Sequence, residues 1–325
     1  MFLEMIKSIV LGIVEGISEW LPISSTGHMI LVNELINNTE GFTASDLYLY
    51  VIQLGAILAV VTLYFHKLNP FSPKKTNVEK ENTWKMWFKV IIACVPAAVI
   101  GLVLDNFMSA WENWQVVSAM LILYGVAFIV VESLHKETKI ESMDDMTYKT
   151  ALLIGLFQVL SIVPGTSRSG ATILGAMLIG CSRSVAAEFS FFLAIPVMFG
   201  VSLLKVLKYG LAMPMQDVIV LLTGMVVAYI VSMLAIKFLM NYVRKHNFKS
   251  FGYYRIILGI LVILYFSFKT TTKKLRKHCL RSFYYTSLIV FIIWSSIGLS
   301  CISVGVSAIS STTSIPSVTL PKAAY

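Results

Sequence analysis

Long apolar runs separated by short polar stretches set the pattern of this chain. Six of them, near residues 47–66, 87–104, 115–133, 184–206, 218–240 and 253–268, approach the ~20 residues a helix needs to cross a bilayer, the last being short. Two further runs, 2–35 and 151–180, are equally apolar but are broken by polar loops after Pro22 and Pro164. Proline stops a helix at or before the preceding residue, and irregular backbone is tolerated at membrane depth only where protein or a water-filled cavity surrounds it. Both broken runs are therefore predicted to be re-entrant helix hairpins. The first reads as a helix ending at or before Leu21, a loop, and a second helix from near Gly27 through Leu35; in the second, the helix after the loop begins near Gly170.

Composition fixes the surrounding solvent. With 57% hydrophobic residues, 13% charged residues and a mean hydropathy of +0.79, the 325 residues describe a polytopic membrane protein and not a soluble domain. The N-terminal apolar run meets carboxylates without a small-residue cleavage site, so it is not read as a cleavable signal. Cys94, Cys181, Cys279 and Cys301 have no paired spacing and point to neither a disulfide framework nor a zinc site. The net charge of +9 looks basic enough for nucleic acid, but all 17 acidic residues precede Lys269 while the tail from Lys269 on carries none. No nucleic-acid partner is expected. Before that tail, lysine and arginine gather in 67–86, 134–150 and 241–252, whereas 33–46 and 105–115 hold none; Lys205 and Lys208 are a minor exception. With six spans, the three basic loops share one side, which the positive-inside rule makes cytoplasmic. The first hairpin then enters from outside and the second from inside.

Opposite entry agrees with an internal repeat. GIVEGISEWLPISSTG from Gly12 and GLFQVLSIVPGTSRSG from Gly155 share a glycine, a polar residue three later (Glu15, Gln158), a proline, and a serine three beyond it (Ser25, Ser167). Asp46 and Glu188 each follow their proline by the same interval and each opens an apolar span. The expected fold is an all-α polytopic integral membrane protein, an inverted-topology repeat with six spanning helices and two re-entrant helix hairpins. Its membrane domain would cover 1–268, as repeats of about 1–135 and 147–268, with the two loops meeting near the midplane.

Those loops carry the candidate chemistry. Glu15 and Glu19 stand one helical turn apart, where like charges repel unless a cation or shared proton relieves them. The hydroxyls of Ser24, Ser25 and Thr26 and the imidazole of His28 follow. In the second loop, small residues let backbone N–H groups approach an anion, a helix offers its positive end, and Arg168 offers a planar fork of donors. A lone arginine at this depth costs several kcal/mol, on the order of 3 or more, which argues for function. Carboxylates for a divalent cation in one loop and phosphate donors in the other spell phosphoryl transfer. The blander readings are that Ser25 and Thr26 only cap a helix, that Gln53 and Gln158 satisfy freed backbone groups, and that Asp46 and Glu188 are helix N-terminal acids.

At these residues the chain resembles the undecaprenyl pyrophosphate phosphatases associated with bacitracin resistance, over about residues 1–268. The family's E-x-x-x-E stretch and P-x-S-S-T-G-H loop stand at Glu15, Glu19 and Pro22 to His28, and its PG-x-SRS-x-x-T at Pro164 to Thr172. The resemblance implies hydrolysis of undecaprenyl diphosphate to the monophosphate, which recycles the carrier lipid for peptidoglycan, in the bacterial plasma membrane with the site facing the outer side. It implies metal-associated carboxylates at Glu15 and Glu19, holding Mg²⁺ or Ca²⁺, and reactive groups at Ser25 and His28. Arg168 with Ser167 and Thr172 is implied as the diphosphate clamp; Glu19 and Arg168 stand beside Ser25 and His28 as catalytic candidates, and Ser24, Thr26, Thr166 and Ser169 join the clamp residues as candidates for substrate binding. Whether Ser25 or His28 is the nucleophile stays open, since both sit in one loop. The partners are a polyprenyl diphosphate lipid and membrane lipid, with a homodimer left open.

The rival reading is a transporter or lipid flippase, which also uses inverted repeats and broken helices but would bind an anionic substrate without cleaving it. Residues 269–325 depart from the family. They open with six basic residues from Lys269 to Arg281 and contain an apolar stretch, Tyr284 to Ile309, long enough for a further span. They are expected to be a dispensable appendage.

Overall fold

Helix formation follows the apolar runs, and helix ends follow the caps. The computed structural model describes residues 1–38, 40–108, 111, 113–134, 137–209 and 213–271, except for the side chains of 105–108. The chain order begins with a pair of short helices, α1 (Phe2–Ser18) and α2 (Ser25–Leu35). Then come α3 (Asp46–Val51) and α4 (Gln53–Leu63), a one-turn α5 (Phe65–Leu68), α6 (Asn77–Met108) and α7 (Trp114–Ser133). A second short pair follows, α8 (Tyr148–Val159) and α9 (Arg168–Ile179), before α10 (Arg183–Tyr209), α11 (Met215–Val243) and α12 (Lys249–Thr271). Six of these units are long and apolar enough to cross a membrane: α3 with α4, then α6, α7, α10, α11 and α12. The protein is thus an all-helical, multi-pass membrane protein in which each half runs as a short broken pair followed by three spans. Three crossings per half turn the second half over relative to the first.

Four helices differ from the expectation, three of them through the caps that start them. Helix α6 starts at Asn77, ahead of the apolar run at 87, because Thr76 and Glu79 cap each other: the Thr76 N–H donates to the Glu79 carboxylate at 2.7 Å, and the Glu79 N–H to the Thr76 hydroxyl at 3.3 Å. The cap of α2 is Ser24, so the helix begins at Ser25 and not near Gly27; the cap of α9 is Ser167, so that helix begins at Arg168 and not near Gly170. Helix α12 is a full-length span of 23 residues, not a short one.

Glycines let the broken pairs sink into the spans. A Cβ on Gly12 would lie 2.7 Å from the Gly224 carbonyl, and one on Gly16 2.9 Å from the Ala228 carbonyl, so α1 crosses α11 almost backbone to backbone. Gly155 plays the same part for α8, where a Cβ would stand 2.3 Å from the Ala93 carbonyl of α6. Ser8 donates to the Val220 carbonyl at 2.7 Å and accepts from the Tyr48 hydroxyl at 2.7 Å, supplying polar ties where apolar lipid offers no competing hydrophobic drive. Outward positions such as Leu58, Ile91, Val95, Leu102, Phe238 and Leu264 remain exposed, as a lipid-facing surface requires.

Residues Met1–Tyr265 form one compact unit. The apolar stretch Tyr284–Ile309 lies outside the described residues.

Candidate active site at the junction of two broken helices

The site is built where two serines turn the chain. Ser24 has φ 74° and Ser167 φ 72°, a left-handed conformation that non-glycine residues seldom adopt. Each serine then caps the helix it starts: Ser24 Oγ accepts from the Gly27 N–H at 3.4 Å, and Ser167 Oγ from the Gly170 N–H at 3.2 Å. Strain of this kind, on the order of 1–3 kcal/mol per residue, persists only where the surroundings enforce it. The shared geometry also corrects the register of the repeat. Ser24, not Ser25, is the counterpart of Ser167, and the residues that follow them, Ser25 and Arg168, are counterparts in position with different chemistry.

Those two residues converge on Glu19. The Ser25 hydroxyl donates to Glu19 Oε2 at 2.9 Å, and Arg168 Nη2 donates to Glu19 Oε1 at 3.0 Å. The ion pair is nearly withdrawn from solvent, with 8% of the Glu19 side chain and 10% of the Arg168 side chain exposed. Arg168 is held further by the Ser190 carbonyl of α10 at 2.8 Å and lies 6.0 Å above the Trp20 ring. Ser169 ties the two loops directly, its hydroxyl shared between the carbonyls of Glu19 at 3.1 Å and Leu21 at 3.3 Å. One helical turn back from Glu19, the Glu15 side chain is buried, and its Oε1 has no protein partner.

The remaining candidates are placed less centrally. His28 Nδ1 lies 2.7 Å from the Ser24 carbonyl, which can only accept, so Nδ1 carries the hydrogen and Nε2 accepts from the Tyr254 hydroxyl at 2.7 Å. Its ring stacks on Tyr254 at 5.6 Å between centroids. Both nitrogens are therefore engaged away from Ser25. Thr26 is exposed on the first turn of α2. Thr166 is fully buried, with a hydroxyl lacking a protein partner. Thr172 is also buried, but its hydroxyl is committed to the Arg168 and Ser169 carbonyls and to Ser190 Oγ, so it fastens α9 to α10.

Sequence reasoning missed Arg255, Tyr254 and Trp20. For Arg255 the signal was present: it is a lone arginine in the sixth apolar run, and the depth penalty applied to Arg168 applies to it equally. Gln158, set aside as a backbone satisfier, is buried with both amide atoms unpartnered, at the position that matches Glu15.

Among the described residues, the buried side-chain nitrogen and oxygen atoms without a protein partner belong to Glu15, Trp20, Gln158, Thr166, Arg168 and Arg255. All six lie in or against the two broken pairs. Native interiors leave few such atoms, so their concentration at one place marks a site built for polar ligands or water. Among the described residues no three His, Cys, Asp or Glu side chains gather to hold a metal. The two carboxylates, one with an orphaned buried oxygen, still fit a hard divalent cation that completes its shell with water and phosphate oxygens.

Fold and site together define a polytopic membrane protein with a polar site, able to take an anionic group, held inside its helices. The profile of the bacitracin resistance protein BacA family matches residues 8–261, and the chain belongs to that family. Relatives named undecaprenyl-diphosphatase are similar over nearly their whole length. That of Enterococcus faecalis is 56% identical over 274 residues, covering 82% of this chain and 99% of the relative. That of Acetivibrio thermocellus is 57% identical over 267 residues, covering 81% and 98%, and that of Desulfitobacterium hafniense 55% over 271 residues, covering 82% and 98%.

Proposed function

We propose that the chain hydrolyses undecaprenyl diphosphate to undecaprenyl phosphate and inorganic phosphate, recycling the carrier lipid for peptidoglycan and conferring bacitracin resistance. Ser25 is the nucleophile and Glu19 its base. The observation that carries this assignment is the row Ser25 Oγ, Glu19 carboxylate, Arg168 guanidinium, linked at 2.9 and 3.0 Å. It favours serine over His28, whose ring nitrogens are turned to Ser24 and Tyr254.

The chemistry follows from this row. A diphosphate entering the site competes with Glu19 for Arg168, because a guanidinium fork matches phosphate oxygens as well as carboxylate ones. Arg168 moves its charge to the phosphate, and the relieved Glu19 carboxylate takes the hydroxyl proton of Ser25. The Ser25 Oγ–P bond forms as the bridging P–O bond breaks, and undecaprenyl phosphate leaves. Glu19 passes the Ser25 proton to the departing lipid phosphate; water then attacks the phosphoserine, its proton going to Glu19 and on to Ser25 Oγ as the Oγ–P bond breaks, so that phosphate is released with Ser25 and Glu19 restored. Arg168 and the N-terminus of α9 stabilise charge on the equatorial oxygens. A divalent cation, Mg²⁺ or Ca²⁺, would be held by Glu15 and Glu19, and when bound it supplies neutralising charge to the diphosphate oxygens.

In this reading the site opens toward the outer side of the plasma membrane, an orientation supported by the basic loops, with the prenyl chain in the surrounding lipid. The test is a rapid-quench reaction of detergent-solubilised protein with labelled prenyl diphosphate, followed by peptide mapping. Wild type should yield a phosphorylated peptide carrying Ser25, and Ser25→Ala should release no phosphate. A labelled His28 or an active Ser25→Ala would overturn the assignment, and an intact ester in the wild type would make the protein a carrier.

A further inference from the structure

One buried cation near the site has no place in the mechanism above. Arg255 sits on α12, far in sequence from both loops, and its side chain is fully buried. Its guanidinium donates to the Pro22 carbonyl of the first loop at 3.2 Å, and to the Gly165 and Thr166 carbonyls of the second at 2.9 Å each. It lies 5.5 Å above the Tyr124 ring of α7. Its described partners are carbonyls and a ring face, with no carboxylate among them, and Nε is without a protein partner. Gly170 makes room for it: a Cβ there would stand 3.0 Å from Nη1. The neighbouring residue on α12, Tyr254, holds His28 through its hydroxyl and by stacking.

We infer that Arg255 is a positioning residue that fixes the two loops to each other. The inference rests on the site reading given above. The three carbonyls belong to residues flanking the strained serines, Pro22 and Thr166 lying close before Ser24 and Ser167. Carbonyls turned out of helical hydrogen bonding by a chain reversal at membrane depth need donors, and a guanidinium supplies several from one fixed plane. Clamping both reversals with one rigid group sets the separation of Ser25 and Glu19 in the first loop from Arg168 in the second. Lysine, a single point of donors on a flexible stem, cannot span both loops with the same geometry.

The consequence is a loss in turnover and not in substrate capture. Misplacing reacting groups by about 1 Å costs roughly 100-fold in rate. For Arg255→Lys, kcat for phosphate release from a prenyl diphosphate should fall roughly 10- to 100-fold with KM within about threefold. The melting temperature in detergent is measured alongside. A KM that rises with kcat intact would make Arg255 an attractor of anions and overturn the inference. So would wild-type turnover, or a loss no larger than the loss of folded protein. If the lysine variant is not recovered folded, Arg255→Gln, whose single amide cannot reach the carbonyls of both loops, tests the same contact. The same kcat loss with unchanged KM is expected there, and full activity would refute the clamp. Ser25→Ala run in parallel separates the two readings: if it stays active, the site assignment fails regardless of Arg255, whereas a dead Ser25→Ala beside an unimpaired Arg255→Lys removes the clamp alone.

Discussion

Replacing Glu19 by glutamine tests the reading at its narrowest point. The carboxylate offers one oxygen to the Ser25 hydroxyl at 2.9 Å and the other to Arg168 at 3.0 Å, and little of it meets solvent. An amide of the same shape has one oxygen only. If that oxygen stays on Arg168, the NH₂ group faces Ser25, which must then accept instead of donating, and its proton has no base. If the amide flips, NH₂ opposes the guanidinium and the interloop ion pair is gone. Loss of general-base help lowers kcat by about 10²- to 10⁴-fold. Arg168, meanwhile, loses its competitor, so the diphosphate and inorganic phosphate should bind at least as well as before. With Mg²⁺ or Ca²⁺ at saturation, so that the lost cation ligand does not limit occupancy, steady-state phosphate release from solubilised Glu19→Gln should therefore show a collapsed kcat, an unchanged or lower KM, and stronger inhibition by added phosphate. A raised KM with kcat within a few-fold of wild type would refute the base assignment, because it would mean Glu19 serves only to bind.

Chelation should stop phosphate release, and Glu15→Gln should raise the Mg²⁺ or Ca²⁺ concentration needed for half-activity by roughly 10-fold or more; turnover indifferent to chelator would remove the cation from Glu15. Cysteines introduced at 74–80 should react with an impermeant thiol reagent only in opened cells, and cysteines at 37–43 in intact ones, with the reverse pattern turning the site toward the cytoplasm. A chain truncated after Lys269 should insert and hydrolyse prenyl diphosphate about as well as the full chain; inserted but inactive protein would make 269–325 part of the enzyme.

The spans were legible because lipid imposes a simple demand: about 20 apolar residues per crossing, with polar residues confined to ends and interior. The broken pairs were legible for the complementary reason, since Pro22 and Pro164 interrupt otherwise apolar runs. What the sequence hid depends on backbone geometry. Nothing in Ser-Ser-Thr announces that Ser24 takes a positive φ and caps the helix, and the error moved the repeat register by one residue. Helix α6 likewise began early through a capping pair lying in a stretch read as a loop. Arg255 itself stands out as a lone arginine in an apolar run, but the contacts it makes were hidden for a different reason. Its partners are backbone carbonyls more than eighty positions away, which leave no mark in any local pattern.

The ion pair between the loops also bears on how the products leave. In the described structure Arg168 belongs to Glu19, so every ligand must take the guanidinium from a carboxylate already at hydrogen-bonding distance. A diphosphate carries enough charge and enough oxygens to win that exchange. Hydrolysis divides the charge between a lipid monophosphate and free phosphate, and each competes less well than the parent headgroup. Glu19 then recovers Arg168, and the resting pair reforms as the products depart. On the mechanism proposed above, one buried pair would restrain the base before substrate arrives and help expel product afterwards, which is the reason removal of the carboxylate should cost turnover while strengthening the grip on phosphate.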